Sequence, residues 1–139
     1  MNKAAVLRAV LALVCISHLV LGAIGFVSVP EPVAKAISAV YGATVTITPE
    51  LQHVIRILGA FMLAIGVMAA FAFMNPQENR AIITGVAVLL LLRVAQRIFF
   101  AGEIHEVFAV AYGRLWTQSL FFLALAAALL ILRPRAEHA

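Results

Sequence analysis

The 139-residue chain contains no aspartate and only one cysteine, Cys15. A single cysteine excludes an intramolecular disulfide, a CxxC redox pair and a CxxCH haem attachment. Charged residues make up only 12% of the chain, and no acidic residue falls inside its long apolar runs. Without a buried carboxylate, proton-coupled efflux of the kind that small four-helix exporters perform through a membrane glutamate is not expected.

Several sequence motifs are missing as well. The chain has no Walker loop, no nucleophile elbow and no HExxH, and its apolar runs contain no metal-binding spacing of histidines and carboxylates. A non-catalytic role is therefore favoured over an enzyme, and no metal site is predicted. The formal charge is +4, but the basic residues are scattered rather than clustered, so nucleic acid is not an expected partner.

What the chain has in excess is apolar residues, at 65% with a mean hydropathy of +1.09. Four apolar runs predict membrane spans at about 6–29, 51–74, 81–100 and 115–132,. The first run is longer than the core of a signal peptide, so we interpret it as a span. The sequence thus predicts an all-α fold, an integral membrane four-helix bundle forming a single transmembrane domain over residues 1–139.

The loop between the first two spans, residues 30–50, has a structure of its own. Pro30 and Pro32 end the first span, and a weak amphipathic pattern follows over residues 33–40,. We expect a short interfacial helix there, then an extended segment over residues 44–48, with Thr48 as the N-cap of the second span. Within that span, small residues that suit close helix packing are Gly59, Ala60, Gly66 and Ala70,.

The basic residues of the short loops predict the orientation. One side of the bundle carries Lys3, Arg8, Arg80, Arg133 and Arg135, while the loops of the other side carry only Lys35 and Arg114. By the positive-inside rule, both termini are expected in the cytoplasm. The loop of residues 30–50 and the connection between the third and fourth spans then lie on the outer side.

Three arginines lie within predicted spans: Arg56, Arg93 and Arg97. All fall in the outer half of their helices, where a charge needs a partner, water or the membrane surface. Arg93 and Arg97 are four residues apart, so they share a helix face and repel each other. Some anion is therefore expected close to them.

Two interpretations of these arginines compete. The favoured one is an electrostatic cap, in which the outer acids Glu50, Glu103 and Glu106 form ion pairs with the arginines. The alternative is a pocket for an anionic or quinone-like ligand at the outer end. Arginines that only reach the lipid phosphates are a third interpretation. The candidate ligand-binding residues are Arg56, Arg93, Arg97, His53 and Gln96.

His18 lies inside the first predicted span. Haem ligation by two histidines needs two facing ligands at similar depth, and His18 with His53 is the one pair to consider. No motif accompanies the pair, so we favour a hydrogen bond from His18 to a neighbouring helix. A haem or polar contact at His18 stays the alternative.

Several short stretches suggest a family. They are the PEP, AVYG and PE segments of residues 30–50, RILGAFMLAIG at 56–66, the NPQENR turn at 75–80, and the arginine pair Arg93 and Arg97. In these stretches the chain resembles the small bacterial membrane proteins of the DoxX-like group, in particular a branch of unknown function. The resemblance implies a multi-pass protein of the bacterial inner membrane. Its relatives include a subunit linked to quinone-dependent sulfur oxidation and several assembly factors.

The sequence and the resemblance together predict a non-catalytic accessory or assembly subunit of a larger membrane complex. Its expected partners are the lipid bilayer and other membrane subunits or a second copy of the chain. The competing prediction is a redox-linked protein of DoxX-like type that holds a quinone or a haem.

Overall fold

The computed structural model describes residues 2–134, and all the regular secondary structure within them is helical. The helices are α1 (Lys3–Val27), α2 (Pro30–Tyr41), α3 (Pro49–Met74), α4 (Arg80–Phe99), α5 (Ala101–Phe108) and α6 (Tyr112–Leu132). Helices α1, α3, α4 and α6 are long and apolar enough to cross a membrane. The predicted all-α four-helix membrane bundle is confirmed, and the chain is a multi-pass membrane protein.

Local sequence signals fix the helix ends. The hydroxyl of Thr48 accepts a hydrogen bond from the Leu51 amide at 3.3 Å, and Pro49 occupies the first turn of α3, where its missing N–H costs nothing. At the end of α1, Ser28 adopts the left-handed conformation with φ of 52°. Helix α6 begins at Tyr112, about one turn before the predicted span. The connection between α5 and α6 is correspondingly short.

The four long helices run alternately up and down, and they form two close pairs. Helix α1 packs along α3, and α4 packs along α6, whereas the α1–α6 and α3–α4 seams are less extensive. The short helices α2 and α5 and the segment of residues 42–48 lie at one end of the bundle, here called the loop end. The α3–α4 turn at residues 75–79 lies at the opposite end, the turn end.

Glycines bring α1 and α3 into backbone contact. A Cβ atom added at Gly22 would lie 2.8 Å from the backbone nitrogen of Leu63. At Gly59 an added Cβ would collide with the backbone of Gly25 and Phe26. Only a residue without a side chain fits at such distances, which is the usual reason for small residues at membrane helix contacts.

The predicted small-residue face of α3 is correct only in part. Gly59 and Gly66 are buried against α1, but Ala60 is exposed. Ala69 and Ala72 are fully buried instead. The reason is the helical period: Ala60 lies about 100° around the helix from Gly59, whereas Ala69 returns to the side of Gly66.

The main hydrophobic core fills the turn end of the bundle, and every long helix contributes to it. Its buried members are Leu7, Leu11, Val14, Ala69, Ala72, Ile83, Val86, Ala87, Leu90, Ala126 and Leu129. Large apolar side chains also cover the outside of the bundle, among them Phe99 at 81% and Ile131 at 79% exposure. An outer surface of this kind suits contact with lipid.

A second, smaller core closes the loop end. Ala43, Val110 and Leu115 are buried there, with Ile37 and Ile104 packed against them. Helix α2 forms as predicted, and the segment that follows it, residues 42–48, contains no helix or strand. A hydrogen bond of 3.1 Å from the amide of Thr44 to the carbonyl of Phe108 holds this segment against the end of α5. We call this part, residues 41–45 with 104–115, the loop-end cover.

Candidate ligand-binding site

A cavity of about 390 Å³ lies between the two helix pairs, beneath the loop-end cover. Its volume is in the range of pockets that bind small molecules. Aliphatic side chains form most of the wall, among them Leu21, Ile24, Val33, Ile37, Leu51, Ile55, Leu58, Met62 and Leu115. The polar side chains that reach it are Tyr41, Arg93, Gln96 and Arg97, and none of the described lining residues is acidic.

Arg97 is the most buried charged residue in the described part of the chain, at 8% exposure. Its Nη1 donates a hydrogen bond to Oε1 of Gln118 on α6. The centre of its guanidinium group lies 5.5 Å from the ring of Tyr41 and 5.4 Å from the ring of Phe122. These rings offer cation–π attraction, so the partners recorded for Arg97 are all neutral.

Arg93 lies one turn earlier on the same face of α4 and is half-buried. Its Nη2 donates a hydrogen bond of 2.8 Å to the hydroxyl of Tyr41, and its guanidinium lies 5.1 Å from the centre of the Phe122 ring. Both arginines thus share Tyr41 and Phe122. Two like charges face one largely apolar cavity, and the four-residue spacing adds mutual repulsion.

Helix α6 fixes α2 above this pair. The side-chain amide of Gln118 donates to the carbonyl of Val40 while its oxygen accepts from Arg97. Arg114 donates to the carbonyl of Ala39. Carbonyls in the last turn of a helix lack partners within the helix, so these two bonds satisfy the C-terminal end of α2 and position Tyr41 over the cavity.

The predicted electrostatic cap is not formed. Within residues 2–134, the ion pair present is Lys35 with Glu31, at 2.6 Å on the exposed side of α2. The side chains of Glu50, Glu103 and Glu106 are exposed, and none makes an ion pair with an arginine of this region. The reason is the direction of the side chains: Arg93 and Arg97 reach inward to Tyr41 and Gln118, whereas the three acids are exposed.

Three of the five candidate ligand-binding residues come together at the cavity, namely Arg93, Gln96 and Arg97. Arg56 and His53 are exposed and do not line it. Helix α3 lines the cavity with residues 51, 55, 58, 59 and 62, which form one helical face. Positions 53 and 56 lie off that face, so the convergence of Arg56 with the other two arginines is not formed.

His18 is buried, at 5% exposure, but its hydrogen bond stays within α1. Nδ1 lies 2.8 Å from the carbonyl oxygen of Val14, one turn earlier. The predicted hydrogen bond to a neighbouring helix is therefore replaced by one to the helix's own backbone. A histidine can reach this carbonyl because side chains in a helix lean towards the N-terminal turn.

The structure also separates His18 from His53. Leu19, next to His18, packs on Gly66 of α3. His53 precedes Gly66 by more than three helical turns, or about 20 Å along α3. Two axial ligands must flank one iron atom, so these histidines do not form a haem site. The described residues also contain no group of three or more His, Cys, Asp or Glu side chains arranged to hold a metal ion.

Sequence reasoning missed three residues of the site: Tyr41, Gln118 and Phe122. Tyr41 lies in the loop of residues 30–50 and carries no local signal of a site, but it is the last residue of α2 and contacts both arginines. Gln118 and Phe122 do show a pattern in the sequence. A glutamine inside an apolar span is unusual, and the aromatic residue four positions later lies on the same helix face, where both can contact a cation. Only the pairing of α4 with α6 shows that this face meets the arginines.

Comparisons with known protein families, with curated proteins and with solved structures found no match. The DoxX-like resemblance therefore stays a prediction from the sequence.

Proposed function

We propose that this protein binds an amphiphilic molecule with an anionic head group inside its helix bundle. One observation carries the proposal: Arg93 and Arg97 face the same aliphatic cavity, and their partners among the described residues are neutral. Buried charges in membrane proteins are usually compensated by an opposite charge. A carboxylate or phosphate ester in the cavity would supply that charge and accept hydrogen bonds from both guanidinium groups.

The rest of the cavity suits the remainder of such a molecule. Gln96 adds a further hydrogen-bond donor beside the arginines, while Ile24, Ile55 and Leu58 present aliphatic surface towards α1 and α3. An apolar wall with a few convergent polar groups is the usual composition of a small-molecule site. The head group would lie against α4, and an alkyl tail would lie against α3.

The test uses a fluorescent fatty acid, dansylated undecanoic acid, with the purified protein in vesicles of neutral phosphatidylcholine. Wild type is expected to show saturable binding. Arg97→Gln is expected to weaken it by about tenfold or more, since a charge-assisted hydrogen bond contributes roughly 1.5–3 kcal/mol. Arg56→Gln is the matched control, because Arg56 is also a membrane arginine but does not line the cavity.

Three outcomes would contradict the proposal. One is an equal loss of affinity in Arg97→Gln and Arg56→Gln, which would indicate general attraction of anions to the protein surface. Another is equal affinity for the probe and its methyl ester, because the ester has the same tail without the charge. The third is the absence of saturable binding in wild type.

A quinone is the second candidate ligand, because the hydrogen-bond donors at the cavity would also suit its carbonyl groups. Tyr41, Arg93, Gln96 and Arg97 together offer several hydrogen-bond donors that two quinone carbonyls can accept,. A quinone is neutral, whereas the first candidate ligand is an anion. Displacement of the fatty acid probe by decylubiquinone, but not by undecanoic acid without the label, would transfer the proposal to the quinone-linked redox role.

The cellular setting is also a proposal. The basic residues Lys3, Arg8, Arg80 and Arg133 support cytoplasmic termini in a bacterial inner membrane,. A role as accessory or assembly subunit remains compatible with ligand binding, because the apolar outer surface suits another subunit as well as lipid. Mass spectrometry of the complex extracted in mild detergent would reveal co-purified chains, and their absence would count against that role.

A further inference from the structure

The route into the cavity follows from the seams between the helix pairs. Helices α1 and α3 form one side of the cavity, and α4 with α6 forms the other. A ligand can reach it through the loop end, along the α1–α6 seam or along the α3–α4 seam. The three routes differ in how exposed the side chains are that line the cavity.

The loop end is covered by apolar side chains of the loop-end cover, of which Phe108 lines the cavity and is 39% exposed while the other lining residues are half-buried or buried. Val110 is 2% exposed and Leu115 is 4% exposed, and both line the cavity. Ile37 and Ile104 pack against them. An anion arriving from water would have to pass through this apolar cluster, which is costly without a partner.

The α1–α6 seam is closed by α2 at the level of the cavity. Helix α2 packs against α1, and it is held to α6 by hydrogen bonds from Arg114 and Gln118. The residues with which α1 and α6 line the cavity, among them Leu21, Ile24 and Leu115, are half-buried or buried. No exposed side chain of either helix lines the cavity within the described residues.

The α3–α4 seam differs, because side chains that line the cavity at this level are exposed on both helices. Leu58 of α3 lines the cavity and is 54% exposed, and Gln96 of α4 lines it and is also exposed. The buried contacts of these two helices lie towards the turn end, where Ala72 and Ile83 share the main core. Towards the loop end, α3 uses Gly59 to pack on α1 instead.

Building on the proposed function, we infer that the ligand enters sideways from the bilayer, through an opening between Leu58 and Gln96. Leu58 lies well inside α3, and Gln96 lies one turn before the end of α4, so the opening faces the acyl chains near the membrane surface. The ligand is therefore a molecule already dissolved in the membrane, such as a long-chain acid or an acidic lipid. Its head group reaches Arg97 while its tail trails through the opening.

The test measures how fast dansylated undecanoic acid, preloaded in vesicles, binds the protein. Leu58→Trp narrows the opening without touching either arginine. We expect association and dissociation both to slow by about tenfold, because a blocked route acts on both rate constants. Gln96→Trp narrows the opening from the other side and is expected to slow both rates as well, with an added loss of affinity because the amide donor of Gln96 is removed. Leu92→Trp is the control, since Leu92 is exposed on α4 at 61% and does not line the cavity.

A second variant separates the membrane route from the water route. Ile104→Ala loosens the loop-end cover. If it speeds association while Leu58→Trp leaves the rate unchanged, the ligand enters from water and the inference is overturned, although Arg97-dependent binding still supports the proposed function. If wild type shows no saturable binding, the proposed function fails and the inference fails with it. Rates that follow the mole fraction of probe in the bilayer, and not its aqueous concentration, support the membrane route.

Discussion

The two helix pairs of this bundle are held together in different ways. Helices α1 and α3 meet through glycines, with Gly22 and Gly59 placed where the opposite backbone leaves no room for a Cβ atom. Helices α4 and α6 meet through long side chains, among them Arg97 with Gln118 and Arg93 with Phe122. One pair depends on shape, and the other depends on polar and aromatic contacts.

This difference explains why the charged groups of the cavity come from one helix pair and not from the other. The glycine contact leaves no space between α1 and α3, so that pair forms a wall of the cavity. At the α4–α6 contact, two guanidinium groups from α4 meet an amide and an aromatic ring from α6. A third polar contact, from Arg133 to the hydroxyl of Thr84 at 3.0 Å, ties the same two helices together at the turn end.

The largest expected effect comes from breaking the glycine contact. Gly59→Ala places a methyl group against the backbone of Gly25 and Phe26, so α1 and α3 must separate. We expect a loss of stability of about 3 kcal/mol or more, measured by thermal unfolding in detergent. Gly85→Ala is the control, because a Cβ there meets nothing within 4 Å. If both variants melt alike, close packing of α1 on α3 is not what stabilises this pair.

The next effect comes from the polar contact of the other pair. Gln118→Leu removes the partner of Arg97 and of the Val40 carbonyl. Leaving buried polar groups without partners is expected to lower the free energy of unfolding by about 2 kcal/mol. Thr117→Ala, at an exposed neighbouring position, is the control in the same unfolding assay. An equal effect of both would show that the link from α4 through α6 to α2 contributes little.

Gln118→Glu sharpens the same comparison. A carboxylate at this position would lie beside Arg97 and supply the charge that we assign to the ligand. We expect binding of the fatty acid probe to weaken by about tenfold or more, while the protein remains folded. Unchanged binding would mean that Arg97 is not the group that holds the head group.

A smaller effect is expected at Arg93. Arg93→Leu removes a hydrogen bond to Tyr41 and a cation–π contact with Phe122, together about 1 kcal/mol. Arg56→Leu should give no measurable change in unfolding, since Arg56 is exposed. A loss of several kcal/mol in Arg93→Leu would indicate a buried ion pair and would revive the electrostatic cap.

The smallest effect is expected at the ion pair of α2. Lys35 and Glu31 are about three-quarters exposed, and solvent screens such a pair. Lys35→Ala should change the stability by about 0.5 kcal/mol or less, as measured by thermal unfolding. A larger loss would show that α2 depends on this pair more than on its hydrogen bonds to α6.

The four spans were predictable because each needs only a long apolar run, which is a property of neighbouring residues along the chain. The same holds for the short helix α2 and for the N-cap at Thr48. The shared face of Arg93 and Arg97 was also predictable, since it follows from a spacing of four residues within one helix.

The contacts between helices were not predictable from such local patterns. Glu50, Glu103 and Glu106 were expected near the arginines because they lie at the same end of the bundle, but depth does not fix the direction in which a side chain points. Arg56 was expected at the site for the same reason, and it faces outward. His18 forms its hydrogen bond within its own helix. The sequence pattern does not distinguish this partner from one on a neighbouring helix.

The sequence by itself determined that this is a four-span membrane protein with two neighbouring cations near one end of a membrane helix. Hydropathy and helical period are sufficient for that, because both act over a few turns. Only the tertiary structure decided that those cations face a cavity, that Tyr41 and Gln118 are their partners, and that Leu58 and Gln96 line this cavity while remaining exposed. These features depend on the rotation of each helix about its axis, which is set by packing against the other helices, above all by the glycines that bring α1 against α3.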